Sequence, residues 1–231
     1  MTDPSPQNIA PKIALVTGAS RGIGAATALA LAANGHHVIL TGRSEANLAE
    51  VEGRIHGQGG TATIAPFDLA DGDAIDRLAA AIGARWGRLD LLVLNAAQLG
   101  TLAPVTHTEP KEWDKVIGLN LNANWRLLRA FDPWLRASPA ADVVALTSSL
   151  GSKPRAYWGA YAVSKAGLES LVATYGLETA AVTGIRTHVI DPGATRTTMR
   201  ARAFPGEDPQ TVKPPEDVAA TIIAALAASR G

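Results

Sequence analysis

The chain has 231 residues, 47% of them hydrophobic, and its 21 lysines and arginines balance its 21 aspartates and glutamates. At about 150 residues per domain and with no Pro- or Ser-rich linker, one domain covering 1–231 with a sizeable core is favoured. Zero net charge argues against a nucleic-acid-binding surface, which needs clustered excess cations. Because cysteine is absent, disulfides, thiolate nucleophiles and Cys-ligated zinc are excluded.

The amino-terminal segment carries no targeting signal that we recognise. Residues 1–10 are polar, contain two prolines and lack the apolar stretch of a secretory signal. We expect this segment to be flexible. No run approaches the roughly 18 apolar residues of a membrane span. A cytoplasmic location without membrane association is therefore expected.

Short β-branched runs alternate with longer stretches of helical periodicity along the chain. Strands are predicted at 13–16, 38–40, 61–65, 91–94, 143–146 and 187–190. Helices are predicted at 23–33, 45–56, 73–86, 113–135, 161–180 and 216–228. Strands that are apolar on both faces and alternate with helices indicate an α/β fold, a doubly wound parallel sheet of six strands with helices on both faces. The proline-rich segment 196–215 is expected to be an irregular substrate loop.

A glycine-rich turn, residues 17–24, connects the first strand to the first helix. Gly18, Gly22 and Gly24 have the spacing Gly-x-x-x-Gly-x-Gly. Glycines let the backbone turn sharply and approach a pyrophosphate, and the helix start offers free N–H groups and a positive dipole end. The turn therefore predicts a dinucleotide phosphate site. The alternative is a glycine-rich connection that binds nothing.

The second predicted strand is followed by an arginine where many NAD-binding proteins place a carboxylate for the ribose 2′-hydroxyl. The sequence there is Thr41-Gly42-Arg43. The planar fork of Arg43 can pair with a 2′-phosphate, and Arg21 lies within the glycine turn itself. Both favour NADP(H) over NAD(H). The alternative for either residue is a solvated surface arginine.

A tyrosine and a lysine, Tyr161 and Lys165, lie four residues apart and so on one face of a predicted helix. A nearby ammonium and the charge of an oxidised nicotinamide would favour the phenolate and lower the pKa of Tyr161, making it a candidate general acid/base. Ser148, at the end of the fifth strand, is placed to hydrogen-bond a substrate oxygen. Alone, Tyr-x-x-x-Lys is a weak pattern, because any helix can carry it by chance.

Taken together, these residues resemble the short-chain dehydrogenase/reductase family in its compact form, over nearly the whole chain. The resemblance implies a Rossmann-type fold and hydride transfer between a nicotinamide and a carbonyl or alcohol. It implies catalytic roles for Tyr161 as the proton donor or acceptor, Lys165 on the nicotinamide ribose, Ser148 on the carbonyl and Asn120 through a bound water. The cofactor-binding residues it implies are Gly18, Ser20, Arg21, Gly22, Ile23, Gly24, Arg43, Asp68, Leu69, Asn95, Ala96, Ala97, Tyr161, Lys165, Pro192, Gly193, Thr195 and Thr197.

The resemblance is strongest to the YciK-like branch of this family, on the segments 158–161 and 195–209. That branch gives no firm substrate. Ala97 departs from the family's Asn-Ala-Gly, and we expect six strands instead of the usual seven. A dimer through the helices 113–135 and 161–180 is expected. The substrate pocket is expected from 98–105, 149–158 and 196–211, with Trp158 either in it or packed on the helix start.

Other features point to no further site. The five histidines have no metal-ligand spacing, so no metal is expected, and Ser164 is interpreted as structural. Two other functions stay open: a regulator or scaffold that binds NADP(H) with little turnover, and an isomerase or epimerase. Relatives of the second kind usually carry a larger carboxyl-terminal domain, for which there is no room here.

Overall fold

The computed structural model describes residues 11–228, so the expectation for 1–10 lies outside the described residues. The strands are β1 Lys12–Thr17, β2 His36–Gly42, β3 Thr61–Pro66, β4 Leu91–Leu94, β5 Asp142–Leu146 and β6 Arg186–Ile190. The helices are α1 Gly22–Ala33, α2 Glu45–Gly57, α3 Gly72–Trp86, α4 Pro110–Ile117, α5 Ala123–Arg136, α6 Gly159–Ala180, α7 Thr198–Ala203 and α8 Pro215–Ala228. Across this range, no helix is both long enough and apolar enough to span a bilayer.

All six strands of the described sheet run parallel, in the order β3-β2-β1-β4-β5-β6. Alternate residues of β1 show why its sequence is apolar throughout. Ile13 and Leu15 join the core packed under α3, α5 and α6, whereas Ala14 and Val16 join the core packed under α1, α2 and α8. The predicted six-stranded α/β fold with helices on both faces is confirmed. The chain winds away from β1 in both directions, so the strand order reverses between β1 and β4.

The predicted helix 113–135 is wrong as one continuous element. It is two helices, α4 and α5, joined by a π-helical turn at Gly118–Asn122. Asn120, inside the turn, is fully buried and hydrogen-bonds the backbone of Gln98. The residues on either side of the turn keep helical backbone angles, so the apolar periodicity continues. It therefore does not reveal that this turn contains one residue more than an α-helical turn.

The proline-rich segment 196–215 is also more regular than expected, because it contains α7. Thr197 caps this helix, since its hydroxyl accepts a hydrogen bond from the Arg200 N–H. A single 3₁₀ turn follows at Pro209–Thr211. The prolines that suggested a loop lie beyond the end of α7, and the cap was the signal that the prediction overlooked.

A buried carboxylate joins two strands at the amino-terminal edge of the sheet. Asp142, the first residue of β5, has no exposed surface. Arg186 on β6 donates to both of its oxygens, at 3.0 and 2.9 Å, and His188 lies 2.8 Å away. Burial by itself would raise the pKa of Asp142, but the hydrogen bonds from His188 and Arg186 outweigh it and lower that pKa below the usual value.

Asp142→Asn is therefore expected to lower the free energy of unfolding by about 3 kcal/mol at pH 7, because it leaves the partly buried Arg186 guanidinium without its counter-charge. A carboxylate whose pKa is depressed on folding contributes stability above its ordinary pKa, and this is lost as the pH falls through its folded value. The stability difference between the two proteins should thus begin to shrink as the pH falls below 3.8. Thermal unfolding from pH 7 to pH 3 measures this. Glu112→Gln, which removes a partly exposed pair with Lys115, is the control, expected to cost under about 1 kcal/mol. A gap that persists unchanged at pH 3 would contradict the assignment.

Candidate active site

A cavity of about 440 Å³ opens at the carboxyl ends of the strands, where the strand order reverses. Ligands of doubly wound sheets bind at this position. The structure brings most of the sequence-predicted residues to its wall: Gly18, Ser20, Arg21, Gly22, Ile23, Gly24, Arg43, Leu69, Asn95, Ala96, Ala97, Ser148, Tyr161, Lys165, Pro192, Gly193, Thr195 and Thr197. Two others do not line it. Asp68 is exposed beside it, and its carboxylate accepts from the Ala70 N–H. Asn120 is buried beneath it.

The backbone of the glycine turn leaves a space beside it that side chains at the glycine positions would fill. Gly18 and Gly22 have positive φ values of 64° and 56°. At Gly24, a Cβ would come within 2.2 Å of the Gly18 carbonyl oxygen. The first turn of α1 carries no acidic residue. The free N–H groups at the start of α1 therefore meet the cavity without a competing carboxylate, which suits the pyrophosphate of a dinucleotide.

Hydrogen bonds fasten this turn to the end of β4. The Thr17 hydroxyl donates to the Val93 carbonyl at 3.0 Å and accepts from the N–H groups of Asn95 and Ala96. The Asn95 amide donates back to the carbonyls of Thr17 and Gly18. The two strand ends that border the cavity are thus held at a fixed separation.

Two exposed arginines, Arg21 and Arg43, line the cavity beside the turn. The backbone of Ala19 donates to the Thr41 carbonyl, which brings the end of β2 against the turn. Among the described lining residues, the carboxylate is that of Asp191, which lies after β6 and not after β2. This end of the cavity is therefore electropositive.

The helix α6 begins at Gly159 and directs Tyr161 and Lys165 into the cavity. Lys165 is 2% exposed, and its Nζ donates to the Leu146 carbonyl at 2.6 Å. Burial lowers the pKa of Lys165 to about 8, although the carboxylates of Glu169 and Asp191 act in the opposite direction. The amino group lies 5.8 Å from the centre of the Tyr161 ring.

The lowered pKa predicted for Tyr161 is not found in the chain itself. Burial raises the pKa of Tyr161 to about 12, the Asp191 carboxylate adds to this, and only the hydrogen bond with Ser148 opposes it. The loss of water around the phenol thus outweighs the effect of a lysine whose Nζ is directed at a backbone carbonyl. The prediction counted the lysine ammonium together with the charge of an oxidised nicotinamide, and it left out the effect of burial on the phenol.

Asn120 connects α6 to the segment that follows β4. Its Oδ1 accepts from the Gln98 N–H, and its Nδ2 donates to the Gln98 carbonyl and to Ser164 Oγ. The Ser164 hydroxyl in turn donates to the Tyr161 carbonyl at 2.7 Å. Both amide hydrogens of Asn120 are used within the protein, so its water-holding role stays a prediction. Ser164, interpreted as structural, completes this link.

Aromatic rings form the wall beyond Tyr161. The Trp158 ring lies 5.8 Å from that of Tyr161 in an edge-to-face arrangement, and Phe204 lies 5.8 Å from Trp158. Trp158 therefore belongs to the cavity. Phe204 lies in the segment 196–211 that was expected to form part of the substrate pocket, but its contact with Trp158 was not predicted, because it joins residues far apart in sequence. Asp191 was also missed; its position directly before Pro192-Gly193, at a strand end, was the available signal.

The sequence pattern of the short chain dehydrogenases matches residues 12–208. The chain belongs to this family. It is 39% identical to the uncharacterized oxidoreductase YciK of Escherichia coli strain K12, over 90% of this chain and 82% of that protein. The resemblance to the short-chain dehydrogenase/reductases and their YciK-like branch is confirmed, and the chain is an oxidoreductase of this type.

Solved structures give the same result. A short chain dehydrogenase from Pseudomonas syringae superimposes with a TM-score of 0.87 at 43% identity, covering 90% of this chain and 85% of that one. A short chain dehydrogenase from Shigella flexneri 2a strain 301, solved in complex with NADP, superimposes with a TM-score of 0.86 at 40% identity, covering 90% and 87%.

Proposed function

We propose that this chain is an NADP(H)-dependent oxidoreductase that transfers a hydride between the nicotinamide and a carbonyl or alcohol substrate, with Tyr161 as the general acid/base. The observation that carries the proposal is the convergence of Tyr161, Lys165 and Ser148 on the cavity that also contains the glycine turn. A phenol, an ammonium and a hydroxyl at the carboxyl edge of the sheet form a proton-transfer site beside a dinucleotide site.

The residues of the cavity are chemically suited to NADP(H). The glycine turn and the start of α1 would hold the pyrophosphate, because Gly24 leaves room that any side chain would fill. Arg21 and Arg43 would hold the 2′-phosphate, since the residues at the end of β2 that line the cavity, Gly42 and Arg43, include no carboxylate. Pro192, Thr195 and Thr197 would hold the carboxamide. When bound, the nicotinamide supplies or accepts the hydride. The Shigella flexneri relative solved with NADP supports this choice.

The chain's own groups would handle the proton. A pKa of about 12 keeps Tyr161 protonated at neutral pH, the form that donates to a carbonyl oxygen in the reductive direction. The Ser148 hydroxyl would hydrogen-bond the same oxygen and orient it toward the phenol. Lys165, whose pKa is about 8, is mostly protonated at pH 7 and would stabilise the phenolate left after proton donation.

Cofactor preference tests the proposal. We expect NADPH to bind at least about tenfold more tightly than NADH, because one charge-assisted contact to the 2′-phosphate contributes about 1.5–3 kcal/mol. Arg43→Ala should remove most of this preference and leave NADH affinity nearly unchanged. Fluorescence titration with each cofactor measures both, and Arg77→Ala, which breaks an exposed pair with Asp71 outside the cavity, is the matched control.

Two outcomes would contradict the proposal. Equal affinities for NADPH and NADH would overturn the 2′-phosphate assignment. Tight NADPH binding without oxidation of NADPH across a broad panel of aldehydes and ketones would favour a binding protein with little turnover instead.

We also propose that two copies pair through α5 and α6. Val163 and Leu177 are exposed and lie 14 residues apart on α6, so they share one stripe of that helix, and Leu177 is 81% exposed. Trp125 on α5 is exposed as well. Exposed large apolar residues of this kind are typical of surfaces that are covered in an assembly. A sedimentation mass equal to one chain would contradict this pairing.

A further inference from the structure

The wall of the cavity beyond Tyr161 is a row of flat apolar surfaces. Tyr161, Trp158 and Phe204 follow one another at centroid separations of 5.8 Å, and all three line the cavity. Trp158 and Phe204 lie at an interplanar angle of 33°. Rings arranged in this way favour a planar or apolar substrate body that lies against them, with its reactive end at Tyr161.

Two guanidinium groups lie at the Phe204 end of this row. Arg200 is 3.7 Å from the centre of the Phe204 ring, and Arg155 is 5.6 Å from it. Both residues line the cavity. Arg155 belongs to the loop between β5 and α6, three residues before Trp158. It is therefore separate in the chain from Arg21 and Arg43, which follow β1 and β2.

The two guanidiniums differ in how their charges are compensated. Arg200 donates to both carboxylate oxygens of Glu207, and the distance from its Nε to Glu207 Oε2 is 2.7 Å. Within residues 11–228, no carboxylate lies at ion-pair distance from Arg155. Asp191, the acid among the described lining residues, acts on Tyr161 and Lys165 at the other end of the row. Arg155 thus places a cation on an apolar wall, and its planar guanidinium is available to a ligand.

We infer that the substrate of the proposed reaction carries a carboxylate on an aromatic or other planar apolar body, with the carboxylate bound by Arg155 and the carbonyl or alcohol at Tyr161. This inference rests on the proposed function. A carboxylate fits better than a phosphate, because one uncompensated guanidinium matches a single negative charge and the surrounding wall is apolar. Arg155 would then determine substrate specificity without taking part in proton transfer.

The test uses the NADPH-loaded protein and an alcohol, a combination that cannot react. Titration calorimetry compares 4-(hydroxymethyl)benzoate with its methyl ester, which has the same ring and hydroxyl but no charge. We expect the acid to bind about tenfold more tightly, which is the lower end of the effect of one charge-assisted contact, because Arg155 is exposed. Arg155→Gln should weaken binding of the acid about tenfold and change that of the ester less than twofold. Lys153→Gln removes the same charge from the same loop outside the cavity wall and should change neither.

Three results would overturn the inference: equal binding of acid and ester, an equal effect of Arg155→Gln on both, or no measurable binding of either. Because binding and not turnover is measured, these results are independent of the proposed hydride transfer. A protein that discriminates the acid through Arg155 but never oxidises NADPH would retain this inference and lose the proposed function. A protein that reduces neutral aldehydes but binds the acid and the ester equally would retain the proposed function and lose this inference.

Discussion

Tyr161→Phe is expected to lower kcat by about 10²–10⁴-fold, the usual contribution of a positioned general acid. NADPH affinity should stay within about threefold, because the ring and its contact with Trp158 are kept and only the proton-donating hydroxyl is lost. Steady-state kinetics with a reducible aldehyde and a separate NADPH titration measure the two effects. Tyr157→Phe is the matched control, since that residue lies four positions earlier, is 59% exposed and does not line the cavity.

The outcome separates two roles for the phenol. If Tyr161→Phe turned over normally, the proton donor would have to be another group, and the assignment of Tyr161 would be wrong. If kcat and NADPH affinity fell together, the residue would act mainly in shaping the site. Loss of kcat alone is the result that proton transfer requires.

Gly24→Ala should weaken NADPH binding by about tenfold to a hundredfold. The added Cβ would come within 2.2 Å of the Gly18 carbonyl oxygen and 2.6 Å of the Asn95 amide nitrogen, so the turn must shift. Overpacking of this kind costs about 1–3 kcal/mol. Fluorescence titration gives the affinity, and thermal unfolding without cofactor gives the cost to the fold. Gly53→Ala, in α2 with open space around its Cβ position, should bind NADPH normally.

Gly22→Ala keeps this prediction testable if Gly24→Ala folds poorly. Its φ of 56° makes a side chain strained, yet its Cβ would have only Thr197 within 4 Å. It should therefore weaken NADPH binding with a smaller loss of stability. Wild-type affinity in both variants would show that the backbone of the turn does not approach the phosphates.

The sheet could be predicted well from the sequence, because strands that are buried on both faces appear as short runs of apolar residues. β1 and β4 are apolar at nearly every position, and their helical neighbours repeat with a different period. The glycine turn and Tyr161 could be placed together for a topological reason, since the carboxyl ends of parallel strands share one edge. Such inferences need only local pattern and chain direction.

What the sequence did not reveal depends on distant contacts. The π turn around Asn120 is stabilised by bonds to Gln98 and Ser164, 22 and 44 residues away. The pKa of Tyr161 depends on how completely the surrounding elements exclude water, which helix spacing does not encode. The contact of Phe204 with Trp158 likewise requires the end of α7 to lie beside the start of α6.

The Thr17 hydroxyl has a mechanical consequence. By bonding Val93, Asn95 and Ala96 at once, it clamps the floor of the crevice, so the two central strands cannot part to admit a ligand. Any movement that accommodates a dinucleotide therefore falls to the opposite rim. That rim is the chain after β6, fastened by shorter connections such as the one between Thr195 and Lys213. The rigid base of the site and the part that can move with a ligand thus belong to different segments of the chain.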